Sequence, residues 1–122
     1  MTEFAKEWIA AWNSHDLERI LGHYSGDIVF TSPRAAVRVP GSNGTVRGIE
    51  PLRAYWAPDG EIRADLAFKL EQVLETVNGV TILYRDETGR RVAETMLFGP
   101  DGKVVRGIVS HGATPSAEVF DG

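Results

Sequence analysis

The sequence predicts an α+β fold in which an antiparallel meander of long strands follows a set of N-terminal helices. Three observations carry the prediction. Between Leu66 and His111, four runs alternate apolar and polar residues, the period expected of strands with one buried face. These runs are separated by Asn78-Gly79, Thr88-Gly89 and Asp101-Gly102, pairs that tolerate the positive φ of tight hairpins. Ahead of them stand three segments whose apolar residues recur at helical spacing. Each strand run is about ten residues long, against a usual five or six. Strands of that length accumulate enough twist to curl, so the sheet is expected to wrap around a cavity.

The bulk numbers bound the rest. At 122 residues, 43% hydrophobic and 25% charged, the chain has the size and composition of one globular domain that buries its own core. There is no cysteine, which removes disulfides, zinc–thiolate sites and cysteine nucleophiles. The formal net charge is −4 and the arginines are scattered, so no basic face stands out to neutralise phosphates. Nucleic acid and anionic membrane are therefore not expected partners. Glu3, Lys6 and Glu7 interrupt the first apolar segment and no run approaches the length of a membrane span, which makes a cytoplasmic location the expectation.

Taken in order, Thr2 to Trp12 reads as an amphipathic helix with Phe4, Trp8 and Trp12 on one stripe. The polar segment from Asn13 to Asp16 breaks it and caps a second helix from about Asp16 to Tyr24. Asp27 to Ser32 alternates as a strand that Pro33 stops. From Pro33 to Gly48, two prolines, three glycines and Asn43-Gly44 predict an irregular loop, with a short strand near Ala36 to Val39. A loop of that length in a small domain is often functional. Gly48 to Trp56 resumes helical spacing, Pro51 being tolerated in the first turn. In the meander, Leu66, Phe68, Leu70 and Leu74 share a face, as do Val80, Ile82 and Tyr84, then Val92, Glu94, Met96 and Phe98. The last run puts Val105, Gly107, Val109 and His111 together. The outer faces of the later strands are also partly apolar, which predicts a homodimer formed through the sheet. One domain over 1–112 is expected, followed by a mobile tail over 113–122.

This order of elements resembles the nuclear transport factor 2-like superfamily, and in particular its SnoaL-like branch. The resemblance rests on Trp12-Asn13-Ser14-His15-Asp16-Leu17, on Tyr24 to Phe30, on Thr31-Ser32-Pro33, on Gly48-Ile49-Glu50, and on Arg90 to Val105 with its Phe98-Gly99-Pro100-Asp101-Gly102-Lys103 turn. It implies a cone in which helices close one side of a curved antiparallel sheet around a pocket. Members of the superfamily include ketosteroid isomerase, polyketide cyclases, epoxide hydrolases, dehydratases and proteins that only bind or dimerise, so the fold alone does not select a reaction. Set against ketosteroid isomerase, the catalytic aspartate falls on Ser32, the oxyanion-hole tyrosine on Trp8, and the second oxyanion-hole acid on Glu94. Serine is no carboxylate base and an indole donates only through its N–H. One role of three is preserved, at Glu94.

Glu94 also stands out without the resemblance. Alternation sets it between Val92 and Met96 on an apolar face, where desolvation raises a carboxyl pKa and suits it to donate or accept a proton. The opposing reading pairs it structurally with Arg106 or Arg53. His111, at the end of the last run, is a second candidate acid or base, or a half-buried strand terminus. Trp8 and Trp56 are candidate walls for an apolar ligand, Ser32 a candidate polar contact, and His23 a residue within reach of the pocket or at the core edge. No ligand spacing joins His15, His23 and His111 into a metal site, and neither metal nor organic cofactor is implied. Two readings follow. In one, the chain binds an apolar small molecule and transfers a proton in an isomerisation, cyclisation, dehydration or hydrolysis. In the other, it is a non-enzymatic binding or dimerisation module whose polar residues are structural.

Overall fold

Local chemistry fixes where each helix of the computed structural model begins and ends; residues 1–113 are described, so the tail expected over 113–122 lies outside the described residues but for Ala113. Helix α1 (Thr2–Ser14) stops where His15 turns into the left-handed region at φ 62° and its N–H bonds back to Trp12. Asp16 then caps α2 (Leu17–Leu21) by accepting from the Arg19 amide at 3.1 Å. This helix is shorter than its apolar stripe suggested, because Gly22 ends it and Tyr24 already belongs to the first strand, β1 (Tyr24–Thr31). Ser32-Pro33 does more than stop that strand. The Ser32 hydroxyl accepts from the Arg34 amide at 3.2 Å and Pro33 occupies the first turn of α3 (Pro33–Arg38), so the expected strand near Ala36 to Val39 is helix instead. Asn43 and Gly44, at φ 53° and 87°, reverse the chain into a short edge strand, β2 (Thr45–Arg47). The segment read as an irregular loop therefore holds two elements. Helix α4 spans Ile49–Trp56.

The meander is β3 (Lys69–Thr76), β4 (Gly79–Arg85), β5 (Arg91–Phe98) and β6 (Val104–His111). Together the strands form one curved, unclosed six-stranded sheet in the order β2-β1-β6-β5-β4-β3. Neighbours run antiparallel except β1 and β6, which are parallel because the chain crosses from one edge of the meander to the other. Helix α4 packs on β1, and α1 on β3. Among the described residues, no helix is long and apolar enough to cross a membrane.

The alternation of β4 and β5 puts Val80, Ile82, Tyr84, Val92, Glu94 and Met96 on the buried concave face. Of the three register shifts in the sheet, one lies between Tyr24 and Val29 of β1, and the other two change the phase of the meander. Of these two, one lies between Leu70 and Gln72, so that Val73 packs on the core and Leu74, expected on the apolar face, is 47% exposed. The other lies opposite Leu97 and Phe98. It turns Val104 inward with Gly107 and Val109, where unbroken alternation had placed Val105. Phe30 lies across Gly107, and a Cβ there would stand 3.0 Å from its ring.

β4 and β5 approach closely at Gly79, where a Cβ would meet the Met96 carbonyl oxygen at 2.6 Å and a Leu97 methyl at 2.7 Å. Gly79→Ala is therefore expected to cost about 1–3 kcal/mol through forced backbone displacement. The midpoint of urea denaturation measures this, and an unchanged midpoint would contradict the packing described.

Candidate functional site

Glu94 sits in the middle of β5, opposite Ile82 of β4 on one side and Val109 of β6 on the other. It is 4% exposed, and the phenol of Tyr84 donates a hydrogen bond to its Oε1 at 3.0 Å. Neither arginine that might have neutralised it does so. Arg53 pairs with Glu18 and Glu50, and Arg106 is exposed on the outer face. Burial without a countercharge disfavours the carboxylate, and although the Tyr84 bond favours it, burial wins and pushes the Glu94 pKa up to about 8. The phenols feel the same setting: burial first, then the Glu94 charge, raises Tyr24 and Tyr84 well above the ordinary tyrosine value. Near neutral pH the site thus holds a protonated carboxyl beside two neutral phenols.

Aromatic side chains build the surroundings. Trp8 is fully buried and its indole N–H donates to the Tyr24 hydroxyl at 3.0 Å, which lies 4.0 Å from the Met96 sulfur. The Tyr84 ring packs at 4.4 Å on Phe68 and 5.5 Å on Trp8. Trp56, half-buried at the end of α4, packs edge-on against Trp12, Tyr24 and Phe30 at 4.7–5.3 Å. Within this cluster the Trp12 indole N–H is buried and has no partner among the described residues. It nevertheless lies close enough to the Tyr24 hydroxyl to favour the phenolate, against the larger effect of burial.

The strand register brings His111 to the same face. Tyr84, Val92 and His111 form one row across three strands; Ile82, Glu94 and Val109 form the next. Glu94 is therefore diagonal to both Tyr84 and His111. His111 is half-buried, and its Nδ1 lies 3.5 Å from an Arg90 N–H; burial, then the Arg90 charge, lowers its pKa. The other candidates fall elsewhere. Ser32 is buried as the cap of α3. His23 sits against Glu7 at 3.2 Å and Phe4 at 5.5 Å, with Arg19 also on Glu7. Sequence reasoning placed Tyr24 and Tyr84 in the core without assigning either a polar role. The signal for Tyr84 was present, because hairpin pairing across Thr88-Gly89 sets it diagonal to Glu94.

Two surface clefts lie away from this centre. One, of about 450 Å³, lies between α3, β2 and α4. The other, of about 950 Å³, opens near α2 and α4 beside His15, Glu18, Arg53 and Glu61. Glu94 lines neither of them. Among the described residues, no group of three or more His, Asp or Glu side chains is arranged to hold a metal ion.

A curved sheet covered by helices on its concave side, with a carboxyl at its centre, defines an α+β cone of the nuclear transport factor 2-like kind. Residues 5–113 match the SnoaL-like domain, and the chain belongs to that family. It is 36% identical to a SnoaL-like protein of unknown function from Burkholderia thailandensis, with 92% of this chain and 93% of that one covered and a TM-score of 0.82. Two more distant structures share the fold. SalBIII, described as an epoxide hydrolase/cyclase-like enzyme in pyran ring formation in the polyether salinomycin, is 15% identical over 93% of this chain and 91% of that one, with a TM-score of 0.71. TerC, co-crystallised with polyporic acid, is 16% identical over 99% and 98%, with a TM-score of 0.70. No curated protein matches the chain.

The raised carboxyl has a consequence for stability. Between the ordinary value of 4.5 and about 8, folded Glu94 holds a proton that the unfolded chain has released. The stability due to its neutral form is thus complete below the first value and is lost as pH rises through the second. In that window the wild type is expected to lose roughly 1 kcal/mol per pH unit relative to Glu94→Gln, which is neutral throughout. Denaturation of the two proteins at several pH values measures the difference, and parallel curves would contradict a neutral Glu94.

Proposed function

We propose that this SnoaL-like protein binds an apolar small molecule on the concave side of its sheet and transfers a proton through Glu94. The observation that carries this is a carboxyl kept neutral near physiological pH by burial, beside a single phenol donor. Such a group gives a proton to a developing oxyanion, and once deprotonated takes one from an adjacent carbon or hydroxyl, the step common to isomerisation, cyclisation, dehydration and hydrolysis. His111, one row away, serves as the second proton-transfer group. Trp8 and Trp56 supply apolar wall, while the Ser32 hydroxyl reaches a ligand only by leaving its cap on α3. Two structures of the same fold, SalBIII, described as an epoxide hydrolase/cyclase-like enzyme, and TerC, co-crystallised with polyporic acid, are in line with this reading. His23 enters only if its Glu7 pairing opens.

The same proposal includes a homodimer through the outer face of the sheet, supported by Leu97 and Ile108, which are 36% and 37% exposed there. Sedimentation is expected to give a dimer for the wild type and a monomer for Ile108→Lys; a monomeric wild type would remove this part.

A second reading, a binding or association module without catalysis, is favoured by the packing itself. Trp8, Tyr24 and Tyr84 close around Glu94, and the described clefts lie elsewhere. A panel of steroids, polyketide-like aromatics, terpene epoxides and fatty acids separates the two. A ligand at a hundred times its dissociation constant adds about 2.7 kcal/mol, visible as a rise in melting temperature. For a ligand so found that is turned over, Glu94→Gln is expected to cut kcat by about a hundredfold or more while leaving affinity within a few fold. Equal turnover by the variant removes Glu94 from the chemistry.

A further inference from the structure

The cleft of about 450 Å³ lies at the sheet edge opposite the meander, between the C-terminal end of α3, the edge strand β2 and one face of α4. Its floor is apolar: Val39, Val46, Pro51, Ala54 and Pro58 line it, and Val46 is 5% exposed. Its polar lining residues are Arg38, Arg47, Thr45 and Tyr55, the Thr45 hydroxyl being paired with that of Thr31 at 3.2 Å. No carboxylate is among the lining residues, although the chain carries 17 acidic residues against 13 basic ones. The arginines nearby on other elements are already paired, Arg53 with Glu18 and Glu50, Arg63 with Asp65 and Glu87. Arg38 and Arg47 have no acidic partner among the described residues, whose ion pairs all involve other cations.

From this juxtaposition we infer that the cleft between α3, β2 and α4 is a binding site for a small apolar carboxylic acid, whose hydrocarbon body covers Val46, Pro51 and Ala54 and whose carboxylate meets Arg38 and Arg47. The volume suits a ligand of that kind, since small-molecule sites begin at about 300 Å³. Guanidinium is the cation whose planar fork matches a carboxylate, and two unpaired forks beside an apolar floor select for an acid over its neutral analogue. The Tyr55 phenol adds no charge of its own: half-burial, ahead of the opposing hydrogen bond with Ser32 and the charges of Arg34 and Arg38, raises its pKa and keeps it neutral. Arg34 adds positive potential from behind: it is half-buried, and burial followed by the Arg38 charge lowers its own pKa, the mark of a cation held near a like charge without sufficient counterion. The site is distinct from the Glu94 centre and stands whether or not proton transfer occurs there.

The test is a nuclear magnetic resonance titration of the full chain with two matched pairs, naphthalene-2-carboxylate against naphthalene-2-carboxamide and octanoate against octanamide. At least one acid is expected to bind saturably, shifting the amides of Val39, Val46 and Ala54, with its amide weaker by about tenfold or more. Arg38→Ala with Arg47→Ala is expected to weaken the acid by about tenfold or more and leave the amide nearly unchanged, while the paired lysine variants, which keep the charge and lose the fork, fall between the wild type and the alanine variant. Both arginines are exposed, and circular dichroism confirms that each variant is folded before titration. Equal binding of acid and amide overturns the inference. So do shifts confined to other residues, undiminished acid binding by the alanine variant, or no saturable binding of either acid.

Discussion

The structure depends on one constraint: a carboxyl is held inside an apolar cone with no cation beside it. Strand alternation forces Glu94 inward, since a residue two positions from Val92 and Met96 on the same strand has no other face to occupy. Ionised, it would be among the most costly groups a core can hold. The protein meets the constraint with a proton and a phenol. Tyr84, reaching diagonally from β4 to β5, satisfies one carboxyl oxygen, and burial keeps the proton on the group near neutral pH. The same low polarity that raises Glu94 also keeps Tyr24 and Tyr84 protonated, so all three are hydrogen-bond donors in the same small volume.

The rest of the fold serves to close that volume. Helix α1 lays Trp8 over Tyr84 and Tyr24, α4 brings Trp56 against Tyr24 and Phe30, and the glycine at position 107 lets the Phe30 ring lie flat on β6. Two bulges adjust the meander where unbroken alternation would have failed, one re-aiming β3 and the other the start of β6. Both lie toward the ends of pairing rather than beside Glu94, so the rows that contain Tyr84, Glu94 and His111 stay in register. Outside the cone, the short β2 and α3 form a separate, cationic edge whose chemistry owes nothing to the buried carboxyl.

How far the sequence revealed this follows from range. Features set by local periodicity were legible: the four meander strands, the inward face of β4 and β5, the helix caps at Asp16, and the position of Glu94 among apolar residues. Those set by tertiary pairing were not. Ser32-Pro33 reads equally as the end of a strand or the start of a helix, and only the pairing of Thr45–Arg47 on β1 shows that the segment between them is structured. Tyr24 continues a helical stripe in sequence yet begins a strand, because its backbone is claimed by β6. The phase of β3 was misjudged for the same reason, since a bulge has no residue signature as strong as a turn. Among the site candidates, Glu94 and His111 were found through strand parity, while the phenol that satisfies Glu94 required the hairpin register as well.

The most direct measurement is a carbon-13 carboxyl titration of glutamate-labelled protein, with Glu94 assigned by the signal lost in Glu94→Gln. A midpoint near 8 is expected for that one resonance. A midpoint near the ordinary glutamate value of 4.5 would show a carboxylate ionised in the core, and the neutral, proton-bearing centre on which the structure turns would be contradicted.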